Sequence, residues 1–401
     1  MTARRLTGIL VAWLAVASLL APGARAQPLT PEAALLRVCS APTLSADWFA
    51  PEVLAVVPLT ALQERFSGFA REFGRCQRVV PSGTQYTVVY EHGELLVTVL
   101  RLDAQGRFQG LLIGSLHTTF VNDEEAAGSF APLAGQVSVL MVEGGRTRVA
   151  LNADRPMAIG SAFKLSVLTA LREQIEAGEH SWSETITLRP EWKSLPSGLL
   201  QRFPDNAVVS VRTLAQLMIA VSDNTATDVL IRLVGREAVE AKAPARNRPL
   251  VMTRELFILK DPQNVDLLAR WRTGNEQARR KVLDEAQSRP LPDIASFSAL
   301  LSRGPVATDV EWYYTTRELC ALIEGVSDLT IMRINPGLAV RKDWAWVAFK
   351  GGSEPGVANL TTQLERKDGR TSCVSVSWNS PATLDDLMLF ARYGGLLELL
   401  K

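Results

Sequence analysis

Gly160-Ser161-Ala162-Phe163-Lys164 is the stretch around which the rest of the chain can be ordered. Gly160 interrupts the chain, and the residues after it open a predicted helix. Positions i and i+3 share a helix face, so the Ser161 hydroxyl and the Lys164 amine are neighbours. That is a nucleophile with a potential base. The pattern is weak alone, because S-x-x-K should occur about once by chance in a chain of this length. A capping Ser and a surface Lys are the better explanation of that motif by itself.

Two further motifs lie downstream. Ser222-Asp223-Asn224 follows the apolar run 214–221, between two predicted helices, where alternate side chains of a short loop can point into a cleft. Read otherwise, it is an N-cap cluster for a helix beginning near Thr225. Lys350-Gly351-Gly352-Ser353 ends the predicted strand 344–349. Paired glycines there let a ligand backbone approach the sheet edge, or they form a hairpin turn. The three motifs are 61 and then 128 residues apart, each on the matching element. Three coincidences in that order outweigh the separate explanations.

S-x-x-K, S-D-N and K-[ST]-G are the motif set of class A β-lactamases and penicillin-binding proteins, and over about residues 137–401 the chain resembles that family. Leu195-Pro196-Ser197-Gly198-Leu199-Leu200 and the segment 215–230, with its SDNTATD, resemble the class A helical subdomain. The resemblance implies an α+β fold with a five-stranded antiparallel sheet and a helical subdomain. It implies that Ser161 attacks an acyl carbon and that Lys164 accepts its proton. Lys164 must then be neutral, which desolvation and a nearby Lys350 favour. Ser222 would relay a proton to the leaving group, Asn224 would hold the substrate amide, and Lys350 would meet a substrate carboxylate beside Gly351, Gly352 and Ser353. The backbone N–H groups of Ser161 and Ser353 would form the oxyanion hole at a helix N-terminus. Arg392 is a second candidate partner for a carboxylate, although a plain surface Arg explains it better.

Two departures qualify the resemblance. Class A enzymes deacylate with a Glu acting through a water, and no E-x-x-L-N loop is recognisable here. Arg254-Glu255-Leu256 comes nearest, but similar wording at Thr316-Arg317-Glu318-Leu319 points to a helix-start preference. A charge-balanced, helix-forming stretch, 261–305, stands near where the covering loop would sit. The third motif has Gly351 where Ser or Thr is usual, a hydroxyl that Ser353 could replace.

The rest of the chain supplies context. Arg4 and Arg5, the apolar run from Ile9 to Leu20 and Ala24-Arg25-Ala26 predict a signal peptide over 1–26. Pro22 and Gly23 end that run short of a membrane span, and no Cys follows the cleavage site to carry a lipid. Periplasmic or secreted localisation is expected, with no membrane anchor after cleavage. Losing Arg4, Arg5 and Arg25 moves the net charge from +1 to −2, so no summed field attracts nucleic acid or an anionic membrane. Four cysteines in an oxidising compartment suggest Cys39 with Cys76 and Cys320 with Cys373. Three pairings are open, and buried thiols explain the second couple equally well.

Leu59, Leu62, Phe66, Phe69 and Phe73 recur at helical spacing. Strand-like runs at 84–90, 95–102 and 107–116 follow, parted by turn signals. Residues 27–118 are therefore read as a small α+β domain, resembling the cone-shaped cystatin/NTF2-like class, with a helix on a three-stranded meander. Residues 119–136 are read as a linker and 137–401 as the main domain, whose sheet comes from both ends around helices between Gly160 and about Asp343. Capping-box spacing at Thr213/Gln216, Thr315/Glu318 and Thr383/Asp386 marks helix starts there.

Only His92, His117 and His180 exist, and only His180 falls inside the main domain. A Ser-His-Asp triad or a two-histidine metal site is nearly excluded there, and no cofactor is expected. The layout is similar to the β-lactamase-like cephalosporin esterase of the clavulanic acid pathway, which also has a small N-terminal α+β domain. The expectation is an exported serine hydrolase that cuts a β-lactam amide or an ester in a small acyl substrate. The alternatives are a protein that binds or senses β-lactams or peptidoglycan fragments without turnover, and a D-alanyl carboxypeptidase.

Overall fold

A computed structural model describes residues 29–401; the expected signal peptide lies outside them. The N-terminal domain begins with helix Pro31–Ser40, whose N-cap Thr30 accepts a bond from the Ala33 N–H, and continues to helix Leu59–Phe73. Phe66, Phe69 and Phe73 pack with Tyr90, Leu95 and Phe108 of the sheet into one buried cluster. That sheet has four strands in sequential antiparallel order rather than the expected three. The missed strand, Cys76–Ser82, is an edge with Arg78 and Pro81 exposed, so it shows no alternation of apolar and polar residues. A disulfide joins Cys39 on the first helix to Cys76.

The expected linker 119–136 contains helix Asp123–Phe130, capped by Asn122, with Ala126 and Phe130 buried against the main sheet. Its first turn, Asp123-Glu124-Glu125, made the stretch read as solvated, although acids suit a helix N-terminus.

The main sheet has five antiparallel strands in the order Trp346–Glu354, Val357–Glu365, Thr371–Asn379, Gln136–Glu143, Arg146–Leu151. Both ends of the domain build it, as expected. One face carries helix Asp386–Glu398; the other meets the helical subdomain, and Cys320 on helix Thr316–Glu324 is bonded to Cys373 on the central strand. The helical core includes Phe163 stacked on Trp312, ring centroids 3.8 Å apart.

Helix starts differ in detail from the capping-box reading. Helix Val211–Ala220 is capped by Ser210 and helix Asp386–Glu398 by Asp385, whereas Thr315 and Glu318 form the expected reciprocal pair. Ser210 lies about one turn before Thr213 and Asp385 two residues after Thr383, and each accepts from the backbone N–H groups of the first turn. The stretch 261–305 forms helices Val265–Thr273, Glu276–Ser288 and Ile294–Leu301. No described helix is long and apolar enough to cross a membrane.

Candidate active site

Ser161 sits on a tight turn, Gly160–Phe163, that leads directly into helix Lys164–Glu176. Lys164 is fully buried, and its Nζ lies 3.0 Å from Ser161 Oγ, 3.1 Å from Ser222 Oγ and 2.7 Å from both the Ser222 carbonyl and Asn224 Oδ1. Ser222 occupies the middle of the three-residue gap between helices Val211–Ala220 and Asn224–Val234 with φ at 56°. That left-handed backbone turns its carbonyl and hydroxyl together toward the amine. Asp223 takes the capping role, accepting the Ala226 N–H with Oδ1 and the Leu199 and Leu200 N–H groups with Oδ2. Both readings of the second motif therefore hold, on different residues.

Asn224 departs from expectation. Its Oδ1 receives Lys164, and its Nδ2 donates to the Leu195 carbonyl at 3.1 Å. The amide orients the lysine, and only the remaining N–H is left for a substrate. Arg392 departs altogether: it pairs with Glu72 at 2.9 Å and donates to the Ser129 carbonyl, joining the two domains away from the cleft. It is neither a substrate partner nor a free surface residue.

The third motif lies inside the edge strand Trp346–Glu354, not at its end. The glycines are needed because that strand runs against the nucleophile turn. A Cβ on Gly352 would fall 2.2 Å from the Ile159 carbonyl oxygen and 2.3 Å from the Ser161 nitrogen. One on Gly160, where φ is +52°, would lie 3.0 Å from the Ser353 nitrogen. The chain at 161 and the chain at 353 are thus adjoining backbones, and Ser353 is exposed at the opening. Lys350 is buried, with Nζ 3.1 Å from Ser222 Oγ.

Electrostatics follow from this packing. Burial, aided by the charge of Lys350, holds the Lys164 amine well below the usual lysine range against the pull of Asp228 and Asp223. Burial brings Lys350 down to about 7. Two amines linked through one hydroxyl cannot both stay charged cheaply, and both are held below the usual lysine range.

Ser161 opens onto two adjoining hollows. One, of about 440 Å³, reaches along Lys350–Ser353 to Asp386 and Phe390 on the last helix. The other, of about 290 Å³, runs under Phe297 and Leu301 from the 261–305 stretch and past Lys260, Glu311 and Glu354. Sequence reading missed these last three, because they come together only in space. Glu255 is not in either hollow: it is buried, bonded to Arg236 at 2.6 Å and to the Met252 N–H at 2.7 Å, a helix-start role. Among the described residues no cluster of His, Cys, Asp and Glu could hold a metal ion.

The β-lactamase enzyme family model matches residues 123–261, and the domain has a β-lactamase-like fold. No curated protein matches the sequence. Similar solved structures include a β-lactamase from Sphaerobacter thermophilus, 19% identical over 70% of this chain and 94% of that one, TM-score 0.48. Others are PBP-A, 15% identical over 69% and 93%, TM-score 0.46, and a β-lactamase from Chitinophaga pinensis, 16% identical over 68% and 97%, TM-score 0.45.

Proposed function

We propose that this β-lactamase-like domain is an exported serine hydrolase that cuts a β-lactam amide or an ester through an acyl-enzyme at Ser161. The observation that carries the reading is the buried Lys164 amine, held well below the usual lysine range by burial and Lys350, 3.0 Å from the Ser161 hydroxyl. Lys164 takes the Ser161 proton as Oγ bonds to the acyl carbon. Ser222, within reach of both amines, passes a proton to the leaving nitrogen or oxygen as its bond to the acyl carbon breaks. The backbone N–H groups of Ser161 and Ser353 are the donors assigned to the developing oxyanion, an interaction worth about 10²–10³-fold per donor in acyl-transfer enzymes. Lys350, in its charged form, meets a substrate carboxylate. Supporting the export assignment are the composition of residues 1–26 and two disulfides, which persist in oxidising compartments. The N-terminal domain is read as a cystatin/NTF2-like appendage that braces the last helix and carries no chemistry.

The test follows the intact mass of residues 27–401 after addition of a cephalosporin bearing an acetoxy ester, with Ser161→Ala in parallel. An adduct that forms only with Ser161 present, or loss of the acetoxy group only then, is the expected result. Equal product from Ser161→Ala would sink the proposal. An adduct that never decays would favour a trap or sensor, which the absence of Glu255 from the lining of both hollows motivates; D-alanine release from peptidoglycan stems would favour a carboxypeptidase.

A further inference from the structure

Lys260, the last residue of helix Thr253–Lys260, points its amine at two acids from distant parts of the chain. Its Nζ is 2.9 Å from Glu311 Oε1 and 2.6 Å from both oxygens of Glu354, which closes the motif strand. The side chains of Lys260 and Glu311 are each 1% exposed. All three line the hollow that also contains Ser161 and Asn224.

We propose that the Glu311–Glu354 carboxyl pair, fixed by Lys260, holds the water that hydrolyses the Ser161 acyl-enzyme and is its general base. This rests on the acyl-enzyme reading above and supplies the step that reading leaves open. Two acids on one ammonium are one acid more than an ion pair needs. A purely structural ion pair has no use for the second carboxyl, and apolar packing would serve as well. Burial and the neighbouring Glu311 push Glu354 up to about 9. Glu311 Oε2 is buried without any donor from the protein. A buried acceptor with no donor, in the wall of a reaction cleft, is where a bound water would be held.

The step balances. The water gives one proton to the ionised carboxylate as its oxygen bonds to the acyl carbon. The carboxyl returns that proton to Ser161 Oγ as the Oγ–acyl bond breaks, which leaves free acid and the original enzyme.

The experiment measures, by time-resolved intact mass, both formation and decay of the cephalosporin adduct in wild type, Glu311→Gln, Glu311→Asp and Glu354→Gln. Expected are formation within a few-fold of wild type in every variant and decay about 100-fold slower in Glu311→Gln. Partial recovery is expected in Glu311→Asp, and slower decay in Glu354→Gln. Adduct formation itself reports that each variant is folded, and Glu354→Gln keeps the test decisive if Glu311→Gln is not. Decay at the wild-type rate in both Gln variants would overturn the assignment, as would a wild-type adduct that never decays. Absence of any adduct in the wild type would defeat the acyl-enzyme reading first.

Discussion

The two amines that converge on the Ser222 hydroxyl decide what this site can do and at which pH. Burial, then the charge of Lys350, hold Lys164 well below the usual lysine range, which favours its use as a base. Lys350, brought down to about 7, is charged below that pH and neutral above it. For a substrate that carries a carboxylate, kcat/KM should therefore fall as pH rises through about 7, because the free enzyme loses the cation that the carboxylate needs. A neutral ester should show no such fall. Rates of adduct formation for the two substrate types across pH 5–9 check this, and parallel profiles would remove Lys350 from carboxylate recognition. At this scale the order of the three motifs was enough to name Ser161, Lys164, Ser222 and Lys350. It was not enough for Asn224, whose amide orientation depends on the Leu195 carbonyl 29 residues away.

Two elements that are distant in sequence make the site by pressing backbone on backbone. The Gly352 contact with Ile159 and Ser161 leaves no room for a methyl group on either side. Gly352→Ala should cost about 1–3 kcal/mol by overpacking. It should also slow adduct formation about 100-fold by displacing the nucleophile turn, which thermal unfolding and stopped-flow acylation would read separately. An alanine tolerated without either effect would show that the turn is not held by the strand. The paired glycines resemble a hairpin turn in sequence, because nothing local distinguishes a turn glycine from one flattened by a neighbour. The exposed edge strand Cys76–Ser82 was hidden for a related reason: its partner, not its pattern, makes it a strand.

Helix Asp386–Glu398 ties the whole molecule together. Leu387 and Ala391 belong to the N-terminal core, Leu389 and Tyr393 to the sheet core, and Asp386 and Phe390 border the cleft. Gly394 and Gly395 let the helix lie on the last strand of the N-terminal domain, where a Cβ would come 2.4 Å from the Leu116 and Thr118 carbonyl oxygens. Arg392 and Glu72 lock that contact, with side chains 14% and 8% exposed. Arg392→Ala leaves Glu72 buried and unpaired, so it should destabilise by roughly 3–5 kcal/mol, and adding Glu72→Ala should restore part of this. Urea unfolding of the single and double variants tests the coupling, and additive losses would mean that the pair does not join the domains. Adduct formation should stay within a few-fold of wild type, because Arg392 is remote from Ser161.

The sequence by itself determined the family likeness, the pairing of Ser161 with Lys164, and the five main strands, because helix and strand periodicity and short motif spacings are local properties of the chain. Only the tertiary structure decided where Arg392 points, how Asn224 is used, and that Lys260, Glu311 and Glu354 meet beside Ser161. Those contacts span 51, 94 and more residues, and charges that far apart acquire a common environment, and a shared proton, only once the chain has packed around them.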